Sequence, residues 1–246
     1  MTNGEGCGLG AGTGNGQALI ERARMILGPR VAGHPEPSPD PDIERARLEA
    51  DRISRLKAMN VGEIYWDENF GTFEAHTPEL ERHLETARAF AANPKGKLVM
   101  LGENGAGKTH LAASILQVTG GVIYTAYDIG VRLRKCFNGD GREWEMLDEL
   151  CHAPVLVIDE IGRTKGSKPE LDWLSHMINR RHENFRPVVF ISNCHMSEDC
   201  AIKGGCTGCF ENYFNDDVTS RILENGVFME FAGGDYRLKI RERGRR

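Results

Sequence analysis

The sequence predicts an α/β fold in which helices flank a parallel sheet, and three short apolar segments carry this prediction. Residues 98–101, 154–158 and 187–191 are apolar runs with the length of buried strands, and polar or glycine-rich segments follow each of them. Segments with helical spacing of apolar residues separate the three runs. Strands that alternate with helices are typical of parallel sheets, in which functional groups gather at the carboxyl ends of the strands.

The composition is that of an ordinary globular protein. The chain has 246 residues, of which 40% are hydrophobic and 27% charged, and none of its apolar runs approaches the about 20 residues of a membrane helix. The net charge of −5 argues against a protein that coats nucleic acid through bulk charge. No charged segment followed by an apolar one marks a secretory leader, so we expect a cytoplasmic protein with reduced thiols and no membrane partner.

Residues 1–62 are expected to form an extension, and residues 63–246 the main domain. Glycine at every even position from Gly4 to Gly16 predicts a flexible tail, and no strand precedes these glycines as a dinucleotide site would require. Residues 17–28 have the spacing of a short docking helix, and prolines mark residues 33–41 as a linker. A helix from about 42 to 59 has a thin apolar stripe, which suits either a solvated lead-in or a partner-binding helix.

The first apolar run leads into a segment that reads G-x4-G-K-T, and a helical pattern follows it. Glycines allow the backbone N–H groups to surround phosphate oxygens, and the helix that follows adds the positive end of its dipole. Lys108 is expected to reach the β- and γ-phosphates, and Thr109 to present its hydroxyl to Mg²⁺. The predicted ATP-binding residues are Gly102, Glu103, Asn104, Gly105, Ala106, Gly107, Lys108, Thr109 and His110.

Polar side chains follow the other two apolar runs. Asp159 is expected to hold Mg²⁺ and Glu160 to act as the general base for the attacking water, although paired carboxylates also end ordinary surface strands. Asn193 follows the third run and is expected to hydrogen-bond the attacking water or the γ-phosphate. Taken alone, an asparagine in this position would more often form a turn.

These motifs closely resemble those of AAA+ ATPases of the bacterial and phage helicase-loader type (DnaC, DnaI) and of the related IstB transposition helpers. The resemblance spans roughly residues 62–240 and implies a P-loop AAA+ ATPase core. The matching segments are Phe70-Gly71-Thr72-Phe73, Gly102 to Leu111, Tyr124-Thr125-Ala126, Val157 to Gly162, Glu170 to Arg181, Ile191-Ser192-Asn193, Ser220-Arg221 and Gly234-Asp235-Tyr236-Arg237.

The resemblance also implies roles for two arginines. Arg221 matches the arginine finger, which acts on the nucleotide of a neighbouring subunit, and Arg237 matches the second-sensor arginine, which contacts the γ-phosphate of its own subunit. A guanidinium offers a fork of donors to a phosphoryl group, so both roles are chemically sound. Surface salt bridges are the alternative for either residue. A finger supplied by a neighbour implies that the protein forms a homo-oligomer and hydrolyses ATP slowly as a monomer.

The function that the resemblance implies is ATP-dependent loading of a replicative helicase, with single-stranded DNA as a second partner and with a phage or mobile element as the origin. A transposition regulator that forms ATP-bound filaments on duplex DNA is the alternative. A scaffold that binds ATP without hydrolysing it is a third hypothesis, against which Glu160 argues. Some loaders carry a zinc-bearing N-terminal domain, whereas the first sixty residues here hold only Cys7 and His34 as soft ligands.

Four of the seven cysteines lie within one short segment that looks like an insertion: Cys194, Cys200, Cys206 and Cys209. This density favours a metal over disulfides in a reducing compartment, and the C-x2-C spacing of the last two lets both thiolates reach one ion. We expect structural Zn²⁺, with free or redox-sensitive thiols and an iron–sulfur cluster as alternatives. Beyond this segment, the basic residues of 237–246 suit either a frayed tail or a contact with phosphate or an acidic partner.

Overall fold

The computed structural model describes residues 40–135, 143–163, 168–201, 206 and 208–232. The expected glycine-rich tail, the helix at 17–28, most of the linker at 33–41, Arg237 and the basic segment 237–246 therefore lie outside the described residues. Within the described ranges, no helix combines the length and the apolar character needed to cross a membrane.

From residue 97 onward, one or two α-helices separate each strand from the next. The α-helices of the described residues are α1 (Pro41–Ala58), α2 (Pro78–Ala92), α3 (Lys108–Thr119), α4 (Ala126–Lys135), α5 (Glu143–His152), α6 (Lys168–Glu183) and α7 (Asp216–Glu224). The strands are β1 (Lys97–Gly102), β2 (Val122–Thr125), β3 (Leu156–Ile161), β4 (Val188–Ser192) and β5 (Gly226–Phe231). A 3₁₀ turn at Glu63–Tyr65 and two more at Ser197–Asp199 and Phe210–Asn212 complete the regular structure.

The five strands form one sheet in the order β2-β3-β4-β1-β5, and every pair of neighbours is parallel. In this register Val99 lies between Phe190 of β4 and Phe228 of β5. The carboxyl ends of β1, β3 and β4 therefore lie side by side, at the edge where open α/β sheets bind ligands. The predicted α/β class with a parallel sheet flanked by helices is confirmed.

Both faces of the sheet are buried, which explains why its strands read as continuous apolar runs. Along β1, Leu98 and Met100 enter one core while Val99 and Leu101 enter the other. Helices α2 and α3 contribute Phe90, Leu111 and Ile115 to the first core. Helices α4 to α7 cover the opposite face, and their buried side chains form the second core. The sheet therefore fixes the residues at its carboxyl edge between two packed layers.

The chain divides into two units, and the division lies between residues 48 and 49. The division falls within α1, before the boundary at residue 62 that the sequence suggested. The reason lies in residues 56–61: Leu56 and Val61 are buried in the core of the second unit. The Nδ2 of Asn60 also donates to the Ile123 carbonyl at 2.7 Å, and the Ile123 N–H donates to the Met59 carbonyl at 3.0 Å. This stretch therefore attaches to edge strand β2.

Arg181 is a fully buried cation on α6 that fixes the amino end of β4. Its guanidinium donates to the carbonyls of Leu150, Ala153 and Pro187 at 2.6, 2.9 and 2.7 Å. Burial lowers the pKa of this guanidinium to about 10. The carbonyls come from the end of α5, from the connection to β3 and from the residue before β4. The Arg181 side chain therefore supplies the hydrogen-bond donors that these buried carbonyls of three segments would otherwise receive from water.

Lys97 is a second buried cation, and it lies at the amino end of β1. Its Nζ donates to the Arg221 carbonyl on α7 at 2.8 Å and contacts Nδ1 of His182 on α6 at 2.9 Å. Burial lowers the pKa of this ammonium group from its ordinary value. The lysine thereby connects β1 to the helix that carries Arg221.

Replacing Arg181 by Met should lower the free energy of unfolding by roughly 3 kcal/mol, because it leaves several buried carbonyls without donors. The change is measured by urea denaturation. Arg180→Met is the matched control on the same helix, since the Arg180 side chain is 55% exposed and its ion pair with Glu183 spans 3.6 Å. It should change stability by less than about 0.5 kcal/mol. Equal effects of the two substitutions would contradict this role for Arg181.

Candidate nucleotide-binding and catalytic site

The loop between β1 and α3 has the backbone of an anion-binding loop. Gly107 caps α3 in the left-handed region at φ 94°, and a Cβ atom there would lie 2.7 Å from Cε2 of Phe73. Only glycine meets both conditions. Helix α3 begins at Lys108, so its first N–H groups and the positive end of its dipole face the loop. This is the arrangement in which a helix N-terminus binds phosphate.

Lys108 is buried beneath this loop with neutral hydrogen-bond partners. Its Nζ donates to the carbonyls of Gly102 and Glu103 at 2.5 and 2.6 Å and to Oδ1 of Asn193 at 3.0 Å. Burial lowers the pKa of the ammonium group to about 8, and the charges of Asp159 and Glu103 act in the opposite direction. A buried ammonium held by neutral oxygens gains strongly from an arriving anion.

Thr109 and Asp159 form the second part of the site. The Thr109 hydroxyl donates to Oδ2 of Asp159 at 3.0 Å, and the Glu160 N–H donates to Oδ1 of the same carboxylate at 2.6 Å. Burial, assisted by the charge of Glu160, raises the pKa of the Asp159 carboxyl above its ordinary value, although these hydrogen bonds and the charge of Lys108 act in the opposite direction. A hydroxyl and a carboxylate oxygen side by side are ligands that Mg²⁺ prefers, so these two residues suit the expected ion.

Glu160 occupies an unusual backbone position within β3. Its φ is 56°, in the left-handed region, and the pairing of β3 with β4 shifts register between Ile158 and Ile161. The side chain leaves the sheet half-exposed and forms an ion pair with Arg163. Non-glycine residues in this conformation are concentrated at functional sites. Arg163 was not among the residues predicted from the sequence. The sequence signal for this ion pair was a cation three residues after Glu160.

Asn193 connects the end of β4 to the phosphate loop. Its Nδ2 donates to Oδ1 of Asn104 at 2.8 Å, while its Oδ1 accepts from Lys108. The structure thus brings together residues that are up to about ninety positions apart in the chain. The sequence-predicted residues at this edge of the sheet are Gly102, Glu103, Asn104, Gly105, Ala106, Gly107, Lys108, Thr109, Asp159, Glu160 and Asn193.

The His110 side chain contacts the segment that precedes α2, and the nucleotide contact predicted for this residue stays a prediction. Its Nδ1 pairs with Oε2 of Glu68 at 2.6 Å, and its Nε2 contacts the Asn69 carbonyl at 2.9 Å. The ring also meets Phe73 edge-on with centroids 5.2 Å apart. His110 therefore fastens residues 68–73 to α3, and Phe73 of that segment packs against Gly107. The Phe-Gly-Thr-Phe string of residues 70–73 was the sequence signal for this contact. The string alone does not show which side chains face His110.

Neither Arg221 nor Arg237 has a contact with these site residues in the part of the chain that the structure describes. The Arg221 guanidinium lies on α7, 3.4 Å from Oδ1 of Asp217, and its side chain is 30% exposed. Arg237 lies outside the described residues. The finger and second-sensor roles therefore stay predictions.

The structure brings together three of the four predicted metal ligands and replaces the fourth. One ligand atom each from His195, Cys200, Cys206 and Cys209 forms a set in which all atoms lie within 4.8 Å of one another. Cys194 is buried in the core instead, with its Sγ 3.9 Å from the Ile161 carbonyl. Side chains from Asn193 to Met196 alternate between exposed and buried, so Cys194 and His195 point in opposite directions. The structure therefore groups His195, rather than the predicted Cys194, with the other three cysteines.

Residues 45–243 match the family of IstB-like ATP-binding proteins. The replicative helicase loader DnaC of Escherichia coli strain K12 is 31% identical over 182 residues, which cover 69% of this chain and 70% of the loader. An insertion sequence IS21 ATP-binding protein of Pseudomonas aeruginosa is 26% identical over 193 residues, which cover 76% of this chain and 69% of that protein.

A crystal structure of the DnaC helicase loader shares the fold. It superposes with a TM-score of 0.59 at 23% identity and covers 70% of this chain and 100% of that structure. The family match spans most of the chain, and the P-loop, the acidic strand end and Asn193 meet at one edge of the sheet. The chain therefore belongs to the family of IstB-like ATP-binding proteins and is an AAA+ ATPase similar to the DnaC-type helicase loaders.

Proposed function

We propose that this ATPase loads a replicative DNA helicase onto single-stranded DNA, and that ATP binding and hydrolysis switch it between two states. The observation that supports ATP chemistry is the meeting of Lys108, Thr109, Asp159 and Asn193 at one edge of the sheet. The similarity to DnaC along about 70% of both chains supports the loading role.

Lys108 changes partners when ATP binds. Its Nζ now donates to two carbonyls of the loop and to Asn193, and the β- and γ-phosphate oxygens offer a better partner for a buried ammonium. Asn193 loses its lysine contact in the same event and becomes available to the γ-phosphate or to the attacking water. Asn193 also donates a hydrogen bond to Asn104 of the loop. The exchange of partners would therefore couple the end of β4 to nucleotide binding at the loop.

Thr109 and Asp159 would hold Mg²⁺ through the oxygens that now hydrogen-bond each other. The ion, when bound, neutralises charge on the phosphates. Asp159 must be ionised for this role. Its hydrogen bonds from the Glu160 N–H and from Thr109 favour that form, as does the charge of Lys108, in opposition to burial.

Glu160 would accept the proton of the attacking water. Its carboxylate is paired with Arg163, so hydrolysis requires that the carboxylate turn from this arginine toward the γ-phosphate. Arg163 therefore competes with water for the general base. This competition suits an ATPase that is slow until a partner rearranges the end of β3.

Arg221 would complete the site of a neighbouring subunit in a homo-oligomer. It lies on α7, and its contact with Asp217 holds the guanidinium at a partly exposed position. Such a position lets the guanidinium reach a phosphate on another copy. Arg237 would contact the γ-phosphate within its own subunit, as the family resemblance implies.

A transposition regulator is the second candidate function. Its support is the similarity to ATP-binding proteins of insertion sequences, one of which is 30% identical over 150 residues. In this case the ATP-bound oligomer would coat duplex DNA and recruit a transposase. The ATPase residues would have the same roles, so the two functions differ only in their partners.

The two functions are separated by retention of a purified replicative helicase on the immobilised full chain, with and without ATP. We expect retention that depends on ATP and that the Lys108→Ala variant reduces, because this variant lacks the phosphate-binding ammonium. Electron microscopy on duplex and single-stranded DNA runs in parallel. Absence of helicase retention together with ATP-dependent filaments on duplex DNA would contradict the loading role and support the regulator.

Lys108→Ala should weaken ATP affinity by roughly tenfold to a hundredfold, which fits the loss of charge-assisted hydrogen bonds. Glu160→Gln should bind ATP normally and lower kcat by about a hundredfold or more, because the amide cannot accept the proton. Binding is measured by isothermal titration and turnover by phosphate release. Lys95→Ala and Glu85→Gln, at exposed positions, serve as matched controls. Wild-type turnover in both site variants would contradict the assigned roles.

Arg221→Ala should lower hydrolysis by at least about a hundredfold without weakening ATP binding, because the finger acts only in the transition state. An equimolar mixture of Arg221→Ala with Lys108→Ala should recover hydrolysis, since each variant supplies the part that the other lacks. The exposed Arg180 provides the control substitution Arg180→Ala. A mixture as inactive as its components would show that Arg221 does not act on a neighbour.

A further inference from the structure

The segment that follows β4 closes on itself at its base. His195 and Cys209 form an isolated parallel bridge, in which the His195 N–H donates to the Gly208 carbonyl at 3.1 Å and the Phe210 N–H donates to the His195 carbonyl at 2.9 Å. Phe210 and Phe214 then pack edge-on against Phe190 of β4. The base of the segment is thus anchored in the core. The side chains of His195 and Cys209 at this base lie close to those of Cys200 and Cys206.

The four side chains have the spacing of a tetrahedral site. Nε2 of His195 lies 3.4 Å from Sγ of Cys209 and 3.7 Å from Sγ of Cys206. With Zn–S near 2.3 Å and Zn–N near 2.0 Å, tetrahedral geometry places nitrogen and sulfur ligands roughly 3.6 Å apart. Both distances match this edge length. The full set spans at most 4.8 Å, so one ion can reach all four atoms after small shifts.

The backbone also supports the thiolates. The Gly208 N–H donates to Sγ of Cys206 at 3.4 Å, and Nδ2 of Asn212 donates to the Cys206 carbonyl at 2.7 Å. An N–H group aimed at a sulfur stabilises its thiolate form and orients it, as outer contacts do around metal ligands. A Cβ at Gly208 would lie 3.1 Å from Cε1 of His195, so this glycine lets the imidazole approach the turn.

We propose that His195, Cys200, Cys206 and Cys209 bind one Zn²⁺ ion, which closes residues 195–209 into a structural loop. Three thiolates and one imidazole are a common ligand set for structural zinc. None of the five cysteines that the structure describes forms a disulfide. Among the described residues of this segment only Met196 and Cys209 are buried, and a metal provides the cross-link that an apolar core would otherwise supply.

The loop lies beside the candidate nucleotide site, so a bound metal would hold residues that adjoin that site. His195 and Gly208 line a cavity of about 210 Å³ together with Arg163 and Asn193. His195 is also two residues from Asn193, with buried Cys194 between them. Fixing His195 through a metal therefore fixes the continuation of β4 just beyond Asn193.

The test uses the full wild-type chain, purified without chelators. Elemental analysis should find about one zinc per chain. Replacement by Co²⁺ should give the intense visible bands of a tetrahedral thiolate site. A protein without metal, or one that contains iron and acid-labile sulfide, would overturn the proposal.

Variants then test the ligand set itself. Cys206→Ser should weaken the apparent zinc affinity at least about tenfold, measured by competition with a chromogenic chelator. Cys194→Ala is the matched control in the same segment, because it removes a thiol that lies outside the set, and it should retain wild-type zinc content. Loss of zinc from Cys194→Ala with retention in Cys206→Ser would overturn the assignment. The cobalt spectrum of the wild type decides the matter if a ligand variant fails to fold.

Discussion

The burial of the Lys108 ammonium group is the interaction on which the candidate site depends. A cation beneath the phosphate loop, without an anion, must be held by dipoles, and here two loop carbonyls and the Asn193 amide do so. Phosphate oxygens are stronger acceptors for the ammonium group than these neutral oxygens, so they would replace them. These contacts join the loop after β1 to the end of β4, and in the proposed function ATP would exchange them within that framework.

This framework follows from the order of the strands. Because β4 lies between β1 and β3, the loop after β1, the acidic end of β3 and Asn193 after β4 face one crevice. The Arg181 and Lys97 cations stabilise the opposite edge of the same sheet, one at the start of β4 and the other at the start of β1. Of the three buried cations Lys97, Lys108 and Arg181, Lys108 alone lies at the carboxyl edge, where it can meet an anion.

Much of the fold and of the site could be predicted from the sequence, because the decisive signals are local. Thr109 and Asp159 each lie next to a strand or helix that the pattern of apolar residues reveals, and parallel topology brings them together. The direction of individual side chains was harder to predict. His110 faces residues 68–69, and Cys194 enters the core while His195 joins the cysteines. These outcomes depend on tertiary packing and on the alternation after β4, which residue identity alone does not fix.

The backbone of Glu160 has a consequence for how such a protein changes over generations. A left-handed conformation costs a residue with a side chain roughly 1 kcal/mol, and glycine or asparagine would relieve most of that cost. Mutations that favour stability at this position would therefore remove the residue that we propose as the general base. Under the proposed role, a more stable variant of this kind would bind ATP but hydrolyse it poorly, so selection for turnover would oppose the gain in stability.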